Sequence, residues 1–193
     1  MLKPEREPVS YCVAATSAWF ERARYDGQFG CASAVGKLDP ARYRANRVET
    51  STMPKKRAHV LAVNPAGPDH QVVTVEGGND TYRRTVCAEC PWRLDQTGKF
   101  PPEAFRHSAN TAYDQSMHQF ACHMSGSAMP ATCAGFLLRG ATHNIGFRLA
   151  VITGKIEPDD LRETVPLHPS YRAMAEANGV QADDPTLAQC RDA

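Results

Sequence analysis

Four cysteines constrain this chain more than any other feature. Cys87 and Cys90 form a C-x-x-C pair, and Cys122 and Cys133 follow with ten residues between them. Two thiol pairs on either side of a helical segment are a common way to close a tetrahedral metal site. The long intervening segment is no obstacle, because the cost of closing a loop grows only slowly with its length. A buried free cysteine behaves as a small hydrophobe, and that reading suits Cys12, Cys31 and Cys190, which have no neighbour at ligand spacing. A redox dithiol is the other reading of C-x-x-C, but it calls for a βαβ setting with the pair starting a long helix. Here Pro91 and a polar stretch to Lys99 follow instead. The total of seven cysteines is odd, which fits a disulfide scaffold poorly.

The metal is less constrained than its ligands. Zinc knuckles commonly place a small residue after the second cysteine, so that backbone N–H groups can approach the sulfur. That position is Pro91, which has no N–H. Cysteine followed by proline also occurs in iron–sulfur runs, and Trp92 is placed to shield a cluster from solvent. The pattern therefore favours a [4Fe-4S] cluster, with zinc as the alternative. His123 directly follows Cys122. Adjacent side chains point apart, so it is read as a donor beside the sulfurs and not as a ligand. His118 lies four residues before Cys122 and is not read as a ligand; His143 is read as a capping or loop residue, and His107 and His168 carry no pattern.

Composition narrows the class. A formal net charge of +1 gives no electrostatic case for a nucleic-acid or membrane surface. No run approaches the roughly 18 apolar residues of a membrane span. Met1–Ser10 is charged and carries prolines, unlike a secretory signal. A cytoplasmic protein is the default, and there clustered cysteines mean metal or catalysis more often than disulfides.

Along the chain, residues 1–52 show no sustained period and read as an N-terminal extension or an over-called start. The functional domain is expected to begin near Met53 and to run to about residue 180, with residues 181–193 as a loose acidic C-terminal tail. His59–Val63 and Gln71–Glu76 read as a hairpin around a loop from Pro65 to Asp69, and Thr81–Val86 as a third strand delivering the chain to Cys87. Helices are expected from Pro101 to about Ala112, over Cys133–Arg139 with Thr132 as N-cap, over Asn144–Thr153 with Ile145, Leu149 and Ile152 on one face, and over Ser170–Asn178. The expected fold is α+β: a small antiparallel sheet followed by three or four helices, joined by the four-cysteine site.

These residues resemble a domain-of-unknown-function family of actinobacteria and their phages. The resemblance rests on C-x-x-C-P-[WFY]-R (Cys87 to Arg93), F-x-C-H (Phe120 to His123), C-A-G-[WF] (Cys133 to Phe136), and an R-L-A helix ending in G-[KR]-I (Arg148 to Ile156). It covers about residues 55–180. It implies that the four cysteines belong together and that Arg93, Trp92, His123 and Gly135 surround them. It implies no activity. Cys-x-x-Cys-Pro is also similar to the start of the cluster motif in iron–sulfur uracil-DNA glycosylases, over those residues alone.

Three functional classes follow. The first is a metal-binding protein whose centre is structural or redox-sensing and which acts through a partner. No G-x-S-x-G, P-loop, H-E-x-x-H or dinucleotide fingerprint is present, and Asp159-Asp160 and Asp183-Asp184 sit beside prolines, where helix capping explains them. The second is a nucleic-acid-associated, phage-type protein using Lys55, Lys56, Arg57, Arg83, Arg84 and Arg93 as a basic face. The third, an enzyme, needs an open position on the metal, and four cysteines normally close one.

Overall fold

Val72, Val73 and Val75 are β-branched and stiffen their segment towards the extended backbone. They lie in β2 (His70–Glu76), which pairs antiparallel with β1 (His59–Gly67). The computed structural model describes residues 57–78 and 81–191. The expected boundary near Met53 therefore lies outside the described residues, as do Cys12, Cys31, Lys55 and Lys56. The hairpin is longer than expected. Pro65 and Ala66 belong to β1, the turn shrinks to Pro68 and Asp69, and the pairing register shifts between Pro65 and Gly67. Proline is tolerated there because a two-stranded ribbon leaves each strand one unpaired edge. Val72 points into the main core, while Val73 and Val75 pack on Ala121. Val60, Leu61 and Val63 of β1 stay exposed.

The third strand departs from expectation. Only Thr81–Tyr82 (β3) is regular, and it pairs in parallel with Ala131–Thr132 (β4), not with the hairpin. The chain then moves to a different neighbour. Arg84 O accepts from Arg162 N–H at 2.9 Å, Leu94 N–H donates to Pro166 O at 3.1 Å, and Trp92 O accepts from His168 N–H at 2.9 Å. Residues 81–94 thus lie between two distant parts of the sequence. The antiparallel sheet has two strands, and a second two-stranded sheet is parallel.

The helices form close to where their caps predict. Pro102–Ser108 (α1) starts with proline and Glu103 in its first turn and continues as a 3₁₀ turn over Ala109–Ala112. Ala104, Phe105, Ser108, Ala109 and Ala112 are its buried face. Ala134–Arg139 (α2) takes Cys133, not Thr132, as its N-cap residue. Ile145–Ile152 (α3) is capped by Asn144, whose side chain accepts from Phe147 N–H, and Tyr171–Ala177 (α4) by Ser170, which accepts from Ala173 N–H. The expected inner face of α3 is the outer one: Leu149 is 46 % and Ile152 79 % exposed. Phe147, Ala150 and Val151 pack on the core instead. With about four helices beside a two-stranded antiparallel sheet, the fold is α+β. Among the described residues, no helix is long and apolar enough to cross a membrane.

The segment read as a loose tail is anchored. Leu187 is fully buried, Cys190 nearly so, and Arg191 N–H donates to Ala112 O. Asp184 caps the 3₁₀ turn Pro185–Leu187 and accepts from Arg106 Nε at 2.7 Å, tying the segment to α1. That guanidinium holds the Asp184 carboxyl below its ordinary 3.8, at about 2. A depressed carboxyl stabilises the fold above the unfolded value and loses that contribution as pH falls through the folded one. Wild type should therefore lose stability between pH 3.8 and about 2 faster than Asp184→Asn. Urea midpoints of the two proteins across that window measure the difference, and parallel curves would remove the role of this pair.

Candidate metal centre

Cys87 and Cys90 bracket a tight turn in which Cys90 N–H donates to Cys87 O at 3.3 Å and Arg93 N–H to Cys90 O at 3.0 Å. The second pair is built differently. Ala121 and Thr132 face each other across an antiparallel bridge. Beside it, Cys122 N–H donates to Ala131 O at 2.8 Å and Cys133 N–H to Phe120 O at 2.9 Å. The ten residues between these cysteines are thus a return loop. Ser125 closes it, donating its hydroxyl to Cys122 O at 2.5 Å and accepting from Ala131 N–H at 2.9 Å.

These segments bring all four predicted cysteines together. Cys90 Sγ lies 3.5 Å from Cys133 Sγ, and Cys122 donates its thiol to Cys87 Sγ at 3.8 Å. Cys87 also interacts with Cys90, and Cys122 with Cys133. All four are free thiols. Among the described residues, no group of three or more His, Cys, Asp and Glu side chains is placed to hold a metal ion. The cluster is a set of donors in contact. Its chemistry fits a thiophilic cation, since four sulfurs about 2.3 Å from one ion form a tetrahedron with edges of roughly 3.8 Å. Cys190, by contrast, lies apart from the four, its thiol directed at Ala109 O and Thr186 O.

The electrostatics follow from this crowding. Hydrogen bonds from Cys122 and then Cys90 hold the Cys87 thiol well below its ordinary value. Cys90 is pushed up, chiefly by Cys133, and Cys122 is pushed up by Cys87 and by burial. Burial and the neighbouring sulfurs thus work against ionisation of Cys90 and Cys122. Ionising them at such short range requires a compensating cation.

The residues expected around the cysteines occupy distinct places. His123 is buried, and burial lowers its pKa, so the ring is neutral. Its Nε2 makes no hydrogen bond; Glu89 Oε2 lies 3.9 Å away, and Phe100 meets the ring edge-on. Arg93 does not engage the cysteines directly. Its guanidinium forks onto Asp95, which raises the arginine and lowers Asp95 to about 2. Arg84 likewise pairs with Asp160, so two members of the expected basic face are neutralised within the chain.

Trp92 is the centre of the core and is fully buried, with Phe120, Phe136 and Tyr171 rings 6.0–6.4 Å from its own. Gly135 is needed for close approach to Trp92. A Cβ at Gly135 would lie 2.6 Å from Trp92 Cβ, and one at Gly140 would lie 2.5 Å from Trp92 Cη2. The indole is therefore wedged against α2 at Gly135, two residues after Cys133. Sequence reasoning took Gly140 only as a helix stop and missed Ser125 and Glu89. Neither Gly140 nor Ser125 had a signal: Gly140 lies five residues after Gly135, a spacing that does not share a helical face.

No curated protein and no solved structure matches the chain. One family model does, over residues 82–191, more than half of the chain and all four clustered cysteines. The chain belongs to DUF6283, a family of unknown function.

Proposed function

We propose that this is a metal-binding protein in which Cys87, Cys90, Cys122 and Cys133 hold one ion, and that the ion is structural. One observation carries the reading: four thiols from three backbone segments meet, with sulfurs 3.5 and 3.8 Å apart within two pairs. Such spacing favours a single tetrahedral ion, and zinc is the common structural one. A [4Fe-4S] cluster, the other candidate, places an iron–sulfide cube between its thiolates and holds them on different irons, farther apart. Bound to all four thiolates, the ion would fasten the Cys87–Cys90 turn to the Phe120–Ala134 region, and its binding energy would be folding energy.

Four thiolates close an ion to substrate, so the reading is of a non-enzymatic protein acting through a partner. It takes the protein as cytoplasmic, where thiols stay reduced. The actinobacterial and phage setting implied by the resemblance belongs to the same reading. The nucleic-acid alternative gains nothing from arginines already paired with Asp95 and Asp160.

Elemental analysis and a visible spectrum of protein purified without oxygen test the proposal. The expected result is a colourless protein with one equivalent of zinc. A brown protein with iron and acid-labile sulfide would replace the ion with a cluster, and a metal-free folded protein would end the metal reading.

A further inference from the structure

The four thiols are not equally shielded. Cys90, Cys122 and Cys133 are 0, 1 and 3 % exposed, whereas Cys87 is only half-buried and is followed by exposed Ala88 and Glu89. Solvent therefore reaches the cluster at Cys87. The Cys122 thiol points at that same sulfur, while Cys90 and Cys133 face each other in the interior. Exposure selects which sulfur a small oxidant meets first, and proximity selects which thiol answers it.

We propose that hydrogen peroxide opens the centre through Cys87, which becomes disulfide-bonded to Cys122 and so releases the ion, while Cys90 and Cys133 stay reduced. This regulation rests on the metal-centre reading above. In the first step Cys87 sulfur attacks one peroxide oxygen. An S–O bond forms, the O–O bond breaks and hydroxide leaves; the sulfur is oxidised by two electrons to a sulfenic acid, and the peroxide is reduced. In the second step Cys122 sulfur attacks Cys87 sulfur. The S–S bond forms, the S–O bond breaks, and the oxygen leaves as hydroxide, which takes a proton from solvent to become water. Two of four ligands are then lost to the ion, and a thiol reductant with added metal reverses the change.

The full-length, metal-loaded protein is titrated with hydrogen peroxide, blocked with an alkylating reagent and mapped by peptide mass spectrometry, with released ion read by a chromogenic chelator. The Cys87–Cys122 peptide should appear first, in step with one ion released per disulfide. In Cys122→Ser, a sulfenic acid should accumulate at Cys87 and be trapped by a dimedone-type reagent. If that variant does not fold, the wild-type map decides alone. A first disulfide between Cys90 and Cys133 or between Cys87 and Cys90, or ion release with Cys87 still reduced, overturns the proposal. So does a cluster unchanged at peroxide levels that oxidise a free-thiol control. Protein isolated without metal would defeat the metal-centre reading instead, and the same map on that protein still shows whether oxidation begins at Cys87.

Discussion

Cys133→Ser should yield protein without bound metal and without a cooperative unfolding transition, whereas Cys190→Ser should keep both. Both thiols are buried in the same core, so burial alone predicts similar losses. The difference comes from what each sulfur faces. Cys133 lies 3.5 Å from Cys90 at the start of α2, and Cys190 is directed at the backbone carbonyl of Ala109. A structural zinc site supplies about 10–16 kcal/mol of apparent binding energy in small domains at neutral pH. Whole domains are stable by only about 5–15 kcal/mol, so a lost ligand exceeds what the remaining core can offset. Serine at Cys190 can still donate to a carbonyl and should cost about 1–2 kcal/mol. Urea unfolding followed by circular dichroism, with metal content measured on the same samples, separates the cases. Equal tolerance at both positions would count against the centre.

The second large effect is expected at Trp92. Trp92→Ala should lower stability by about 3–5 kcal/mol, the range for emptying a large aromatic site in a core. The indole touches three rings and fills the hollow that Gly135 and Gly140 leave in α2 and at its end. No neighbouring side chain can slide into that space without moving the helix that Cys133 caps. Trp92 Nε1 has no hydrogen-bond partner, so Trp92→Phe should recover most of the loss. The urea midpoints of both variants check this. A loss below about 1 kcal/mol for alanine, typical of an exposed site, would show that the indole is not the hub of the core.

What the sequence made legible is what depends on neighbours along the chain. The β-branched run at Val72–Val75, the caps at Asn144 and Ser170, and the proline start of α1 are local choices, and each appears where the residues call for it. What it hid depends on distant partners. Thr81–Val86 has strand-forming residues, yet its pairing with Ala131–Thr132 and with the chain near Arg162 is set by contacts far along the sequence. The α3 helix is apolar on two sides, so its period could not choose between Ile145, Leu149 and Ile152 on one face and Phe147, Ala150 and Val151 on the other. The cysteine spacing pointed to one group of four but not to which sulfur meets which. That arrangement comes from the bridge between Ala121 and Thr132, and no residue of the bridge announces it. Trp92 drew attention as a shield for the centre because it follows a cysteine; its larger role, filling the core against Gly135 and Gly140, required the helix to be in place.

X-ray absorption at the metal edge of protein purified without oxygen tests the four-cysteine centre most directly. The expected result is a single shell of four sulfurs at about 2.3 Å, the zinc–thiolate distance, with no second metal beside the first. A shell containing a nitrogen at about 2.0 Å, the zinc–histidine distance, would replace one cysteine with a histidine such as His123 and contradict the four-cysteine assignment.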